Sequence, residues 1–564
     1  MDTIIGIDLG TTNCTVTAID EDGKTLVVKN NQNEFITPSA VYFCKNKNEF
    51  IVGKKAKEKS NIDPENLVLY VKREMGKDKD KVRFNPITEK YNPYNFWGKI
   101  FSPQEISAII LKQLKLDAEK ELGKEIDKAV ITCPAYFGDD EKNATKLAGK
   151  MAGFDVLEII PEPTAAALSY CSISKKERET VLVFDLGGGT FDVTILKIQN
   201  GENGREVETV ATDGNHKLGG IDWDSSIIDY MIDRFEMRYP DADIDFGPKK
   251  DKEITYGKLR IEVEKAKVSL FKEGIESVPI TIEYGGQKHT ENLSRSLYAE
   301  KTQKWTDQCR IYCNNILSEQ GLTWDNIDTV LMIGNMSNCT TIRDSLKKWS
   351  GKEINFGLIN PKTCVSEGAA IKGYLLEGGD KVKVLGENIK PDYATFEQTK
   401  EEIEKADELQ NNSQREVVTF NCQKIKSGVI PLSIGIKVIN NKTGQDVIYK
   451  FFKKNSSYPI SFTHAFPPNR DGDENLTIDV YEGEGETPET CKLLGSAIVQ
   501  LDGKLTRQDK LDITLSKDND GILQIEAKNQ KTNVFMKAEI KRENSLSESE
   551  VKKTIEEFEE FSLG

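Results

Sequence analysis

The chain has 564 residues, of which 37% are hydrophobic and 30% charged, and its formal net charge is −15. That length exceeds what one hydrophobic core organises, and the balance is that of an ordinary folded protein rather than a fibrous or disordered one. The acidic total argues against a nucleic-acid partner, and ten cysteines with no C-x-x-C pair argue against a disulfide scaffold.

The first predicted element is an apolar strand, Thr3-Ile4-Ile5-Gly6-Ile7-Asp8-Leu9, that ends in an acid and the turn Gly10-Thr11-Thr12. Asp2 and Asp8 do not suit a secretory signal, and no apolar run approaches the ~20 residues of a membrane span. A reducing, cytoplasmic setting without a membrane is expected. Ser102-Pro103-Gln104-Glu105 reads as a helix start, with Ser as N-cap, Pro in the first turn and Glu closing the box. Ile106, Ile109, Ile110, Leu114 and Ala118 then share one face, and Gly123 ends the helix. The strand Lys128-Ala129-Val130-Ile131-Thr132-Cys133 follows and stops at Pro134.

The opening plan then returns. Val181-Leu182-Val183-Phe184-Asp185-Leu186-Gly187-Gly188-Gly189-Thr190 is again strand, acid and Gly–Thr turn, and Phe191-Asp192-Val193-Thr194-Ile195 leaves as a second strand. Two such copies, with strand and helix alternating between them, predict a duplicated α/β unit. Cys309 and Cys313 are four apart on a predicted helix and read as two buried thiols, since no further metal ligands accompany them.

Near Glu377-Gly378-Gly379-Asp380 the character changes. Residues 377–420 read as a polar linker or insertion with a short helical stretch at 399–409. From 421 to 543 alternating segments dominate, such as Leu476-Thr477-Ile478-Asp479-Val480-Tyr481, separated by Asp502-Gly503 and Asp520-Gly521 turns; they predict a β-sandwich. Residues 545–561 form one amphipathic helix.

The chemistry lies in the two turns. A Gly–Thr turn after a strand exposes backbone N–H groups to a phosphate without an obstructing Cβ. Two facing turns hold one polyphosphate from both sides, and Asp8 and Asp185 at the strand ends suit the waters of a Mg²⁺ ion.

Asp8-Leu9-Gly10-Thr11-Thr12, Pro134-Ala135-Tyr136-Phe137, Pro161-Glu162-Pro163-Thr164-Ala165-Ala166-Ala167 and Asp185-Leu186-Gly187-Gly188-Gly189-Thr190-Phe191-Asp192 together resemble the signatures of the 70-kilodalton heat-shock chaperone family. Leu218-Gly219-Gly220, Glu264-Lys265-Ala266-Lys267 and Gly368-Ala369-Ala370 extend the likeness. It implies a two-lobed, actin-like ATPase domain over residues 1–376, a β-sandwich substrate domain over 421–543 and a truncated lid helix over 544–564. It also implies ATP or ADP with Mg²⁺, slow hydrolysis, an unfolded client polypeptide, a J-domain co-chaperone and a nucleotide-exchange factor.

Residue by residue, the resemblance implies Lys72 at the transferring phosphoryl group, Glu162 orienting the attacking water and Asp185 and Thr190 completing the catalytic set. Thr11 and Thr12 with Gly10, Gly187, Gly188 and Gly189 would cradle phosphate, Asp192 would support the site, and Gly219, Gly220 and Gly334 would border the nucleotide. Pro134 matches the family's hinge. Glu264 and Lys267 either contact the ribose or form an i,i+3 ion pair. Ile436, Ile439, Phe466, Leu476 and Ile478 match peptide-pocket positions, and sandwich core is the other reading for each.

Three departures bear on function. The usual Gly-Gly-x-x-Arg loop beside adenine is Gly334-Asn335-Met336-Ser337-Asn338, and Phe271 stands where a serine is usual, so weakened base selectivity is expected. Lys142 replaces a usual arginine, and no leucine-rich coupling linker is recognisable before Val429, so no docking element is expected there. The lid is reduced to a root near Ser547. Two functional readings follow: an ATP-cycling chaperone, or a non-cycling, ATP-loaded structural or co-chaperone subunit of a larger assembly.

Overall fold

Ile4, Ile5, Ile7 and Leu9 are all buried, which makes β1 (Ile4–Leu9) a central strand rather than a half-wet one. The computed structural model describes residues 3–563 apart from 386–416, 539–547 and several shorter stretches. β1 turns into antiparallel β2 (Asn13–Ile19), which pairs with β3 (Thr25–Val27) and β4 (Thr37–Pro38). On its other side β1 runs parallel to β5 (Lys128–Cys133), and β5 parallel to β6 (Asp155–Pro161). The sheet order is therefore β6-β5-β1-β2-β3.

The second lobe repeats this plan. β7 (Arg178–Leu186) turns into antiparallel β8 (Phe191–Gly201), β8 pairs with β9 (Gly204–Asn215), and β7 runs parallel to β10 (Thr329–Ile333). Leu9 pairs with Cys14 across the first hairpin, and Leu186 with Phe191 across the second. The internal repeat in the sequence is thus a structural duplication, as expected of a two-lobed α/β unit.

Helices pack both sheets. α1 (Pro103–Leu122) begins with the expected capping box, Ser102 Oγ accepting from Glu105 N at 3.3 Å, and ends at Gly123 with φ 68°. α2 (Asp139–Met151) follows β5, and α3 (Glu162–Cys171) follows β6. The second lobe carries α4 (Gly220–Arg238), α5 (Lys249–Leu270) and α6 (Arg295–Glu319). α7 (Cys364–Leu376) returns to the centre and crosses α3 so closely that a Cβ on Gly368 would lie 1.8 Å from the Ala165 carbonyl oxygen. A Cβ on Gly6 would lie 2.1 Å from Ala370 N, so glycine at these two places sets how near helix and sheet approach. Cys309 and Cys313 are buried on α6, and burial pushes both thiols up, as expected of inert core groups.

Beyond α7, Val382–Leu385 and Val417–Phe420 pair antiparallel. The expected helix at 399–409 and the Asp502-Gly503 turn lie outside the described residues, as does Asp520. The next segment departs from expectation. β11 (Cys422–Val429) docks parallel on β9, with Val207 opposite Ile425, and extends the second lobe's sheet. A strand in this register is held by backbone hydrogen bonds and does not require a leucine run.

The sandwich follows as predicted. One sheet has the order β13-β12-β15-β16, formed by β12 (Ile434–Ile439), β13 (Asp446–Phe452), β15 (Asn475–Glu482) and β16 (Lys492–Gln500). The other has the order β14-β17-β18-β19, formed by β14 (Ile460–Phe466), β17 (Leu511–Lys517), β18 (Leu523–Asn529) and β19 (Phe535–Ala538). Leu511, Ile513 and Leu515 alternate into the core with Leu523, Ile525 and Ala527, and each large side chain buried this way contributes about 1.5–3 kcal/mol.

The sandwich sits on both lobes. Lys517 pairs with Asp139 at 2.6 Å, and Lys492 reaches Asp140 at 3.0 Å and Glu141 at 2.9 Å, all in the first turn of α2. Lys454 reaches Asp213 on β9 at 2.8 Å. α8 (Glu548–Glu560) lies against the first lobe instead, with Val551 on its core and Glu557 2.6 Å from Lys99.

Candidate active site

The duplication brings the two turns face to face. A Cβ on Gly188 would lie 2.3 Å from Thr12 Cγ2, and one on Gly189 2.3 Å from Thr11 Cγ2. Only residues without a side chain let the second turn approach the first this closely. Behind it, Gly220 N donates to Gly187 O at 3.0 Å and Ile221 N to Gly188 O at 2.8 Å, which seats the start of α4 on the turn. Gly334, with φ 80°, closes the end of β10; a Cβ there would meet Leu186 O at 2.4 Å.

The cleft between the lobes is lined by Asp8, Gly10, Thr11, Thr12, Lys72, Glu162, Asp185, Gly187, Gly188, Thr190 and Gly334, among others. Every catalytic candidate from the sequence therefore shares one cavity. Lys72 Nζ donates to Glu162 Oε1 at 2.5 Å, both side chains being under a tenth exposed. Asp192 does not line the cavity, but its Oδ1 accepts from Tyr136 N at 3.1 Å and so ties the strand end at Pro134 to the second turn.

Four acids meet one lysine here. Burial, and then the charge of Glu162, pushes Asp8 up to about 7 and Asp192 up to about 8, and the same causes hold Asp185 well above the carboxylate range. Burial opposes the charge on Lys72, but Glu162 and Asp8 outweigh it and raise its pKa. Glu162, Asp185 and Asp192 each offer a carboxylate oxygen within 4.8 Å of the others, and Asp192 Oδ2 is buried without a hydrogen-bond partner. This excess of hard oxygen donors suits a dication such as Mg²⁺.

Arg73 is a site residue that the sequence reading missed. Its Nε donates to Gly189 O at 2.8 Å and its Nη2 lies 2.5 Å from Asp222 Oδ2, so it clasps the second lobe from the first. The only signal for it was its place beside Lys72.

The candidates outside the phosphate region are placed differently. Glu264 and Lys267 do not pair with each other: Glu264 takes Lys57 at 2.7 Å and Lys267 takes Asp224 at 2.8 Å. Neither lines the cleft. Gly219 and Gly220 cap α4 behind the second turn. In the sandwich, Ile436 and Ile478 are buried in the core, Phe466 and Leu476 are half-buried, and Ile439 is exposed. Phe466 belongs to an aromatic group with Tyr449, Phe451 and His464, in which the Tyr449 hydroxyl and His464 Nδ1 are 3.1 Å apart.

No helix among the described residues is long and apolar enough to cross a membrane. The model of the Hsp70 protein family matches residues 4–424 and 425–563. The chain is 35% identical to the chaperone protein DnaK of Thermosipho africanus over 563 residues, which covers 99% of this chain and 83% of that one. The chaperone protein DnaK of Thermotoga maritima is likewise 35% identical, over 564 residues with the same coverage.

Proposed function

This chain belongs to the Hsp70 protein family and is a chaperone of that type, and we propose that it binds Mg·ATP between its two Gly–Thr turns and hydrolyses it slowly. The observation that carries this reading is the cluster of Asp8, Glu162 and Asp185 around Lys72 in the cavity between those turns, with Asp192 beside Glu162 and Asp185. When bound, Mg²⁺ supplies charge neutralisation at the phosphates. Asp8 and Asp185 would hold the ion, while Thr11, Thr12 and Thr190 would donate hydroxyl hydrogen bonds to phosphate oxygens. Lys72 stabilises the charge that develops on the transferring group. A bound phosphate competes with Glu162 for Lys72, which frees the Glu162 carboxylate to orient the attacking water.

The sandwich takes an extended apolar segment of a client polypeptide at the edge where Ile439 is exposed and Phe466 and Leu476 are half-buried. Ile436 and Ile478 support that surface from the core. β11 links the two activities, because it is covalently joined to the sandwich and hydrogen-bonded to β9 of the nucleotide lobe. A J-domain co-chaperone, a nucleotide-exchange factor and a cytoplasmic location complete the proposal.

Single-turnover hydrolysis of ATP, with and without Mg²⁺ and with and without an apolar peptide, tests it. Mg-dependent turnover that peptide accelerates is the expected result. The buried Lys517–Asp139 pair favours a second reading, a permanently docked, non-cycling subunit. Retention of uncleaved ATP through the same experiment would select that reading.

A further inference from the structure

β14 ends its sheet, and among the described residues no strand pairs with its outer edge. Edge strands are usually blunted by charge or proline, because an open row of backbone groups invites another chain. This one, Ile460-Ser461-Phe462-Thr463-His464-Ala465-Phe466, carries no lysine, arginine, carboxylate or proline, in a chain whose net charge is −15.

Its alternate side chains Phe462, His464 and Phe466 stand on one face, opposite Leu515, Ile513 and Leu511 of β17. They meet the rings of β13, the edge strand of the other sheet. Phe462 lies 5.8 Å from Phe451, His464 stacks on Tyr449 at 4.6 Å, and Phe466 stands edge-on to Tyr449 at 5.3 Å. The polar tips of Tyr449 and His464 satisfy each other, so the row presents apolar ring surface. Phe462 is 44% exposed, the most exposed phenylalanine among the described residues, and Tyr449, His464 and Phe466 are half-buried. An extended chain laid along β14 repeats its side chains on one face every ~6.8 Å, which is also the repeat of the row. One residue in two would then meet a ring while the backbone pairs with the open edge. A carboxylate in that place would lose water and find no cation on β14.

We propose that Phe462, His464 and Phe466, backed by Tyr449 and Phe451, form a specificity-determining wall of the client site. The segment it takes is extended, pairs with the β14 edge and carries apolar side chains at every second position. The inference rests on the client surface proposed at Ile439, Phe466 and Leu476, and extends it along β14 from the shared Phe466. Fluorescence anisotropy of the full chain tests it with two labelled peptides of equal composition, serine with three phenylalanines, alternating in one and consecutive in the other. The alternating peptide should bind about tenfold more tightly. Phe462→Ser, checked for an unchanged melting profile, should remove most of that advantage. Equal affinities in the unaltered chain, or an advantage that survives the substitution, would overturn the wall and leave the client surface at Ile439 and Leu476 standing. Binding of neither peptide would remove both. Sedimentation that shows a dimer dissolved by Phe462→Ser would assign the edge to a second copy and overturn the wall as well.

Discussion

Lys517 on the sandwich and Asp139 at the start of α2 meet at 2.6 Å with side chains only 1% and 6% exposed, although 378 residues separate them in the chain. Breaking such a buried pair costs roughly 3–5 kcal/mol, because one charge stays behind in a dry interface. Lys517→Ala is therefore expected to release the sandwich from the first lobe. Small-angle scattering should register a larger radius of gyration, and an unchanged radius would assign the docking to other contacts. Lys517→Met combined with Asp139→Leu removes both charges and should keep the compact form.

Glu482 sits beside that pair, 2% exposed, with its Oε1 lacking a hydrogen-bond partner. Burial, and then the charges of Asp139 and Glu141, pushes its carboxyl from an ordinary 4.5 up to about 8. The docked state thus keeps a proton that the separated state loses. Stability is greatest below about 4.5 on this account, falls as pH rises through the window to about 8, and stays low above it. Melting temperatures between those limits should decline with pH, and Glu482→Gln should lessen the decline, the remainder coming from Asp8 and Asp192, which are raised over the same window. Parallel slopes in the two proteins would count against Glu482.

Lys72→Ala should slow single-turnover hydrolysis about 100-fold or more, since the ammonium matters most where charge develops. Nucleotide should remain bound, held by the turns and Mg²⁺. The free protein should also melt lower, because Glu162 and its neighbours lose their cation, and added Mg²⁺ should restore part of that loss. A variant that turns over at the original rate would remove Lys72 from the chemistry.

Gly189→Ala places a methyl where Thr11 Cγ2 stands 2.3 Å away. The two turns must part, so affinity for Mg·ATP should fall tenfold or more while the melting temperature moves by only a few degrees. Equal affinity would show that the turns need not touch for phosphate to bind.

Ile425→Pro removes a backbone donor from β11, the strand that docks on β9. In the unaltered chain ATP should speed release of a labelled apolar peptide by tenfold or more, and in the variant by little. Without β11 in view, the same experiment would have been expected to show almost no nucleotide effect. Equal acceleration in both proteins would place the coupling elsewhere.

What could be read from the sequence was local or repeated. The cap at Ser102 and Glu105 and the left-handed Gly123 depend on neighbours within one helix, and both formed as their residue types require. The facing turns were legible because the same plan occurs twice, and the sandwich because apolar residues alternate along its strands. β11 escaped notice because a parallel strand is completed by a partner more than 200 residues away and carries no pattern of its own. Arg73 was hidden for the same reason, its acceptor lying 116 residues off. The partners of Glu264 and Lys267 could not be guessed either, because helix spacing says which residues share a face but not what that face meets.

The repeated hairpins also explain why their turns differ. A duplicated unit begins with two identical loops, and a twofold arrangement that brings like against like doubles every side chain at the meeting point. Thr11 and Thr12 on one loop oppose Gly188 and Gly189 on the other, where added methyls would collide at 2.3 Å. Where the loops touch, one copy therefore supplies the threonines and the other yields the space for them. Symmetry between the halves persists in strand order and ends at the loop tips, so each loop is adapted to its opposite and neither should substitute for the other if the two were exchanged.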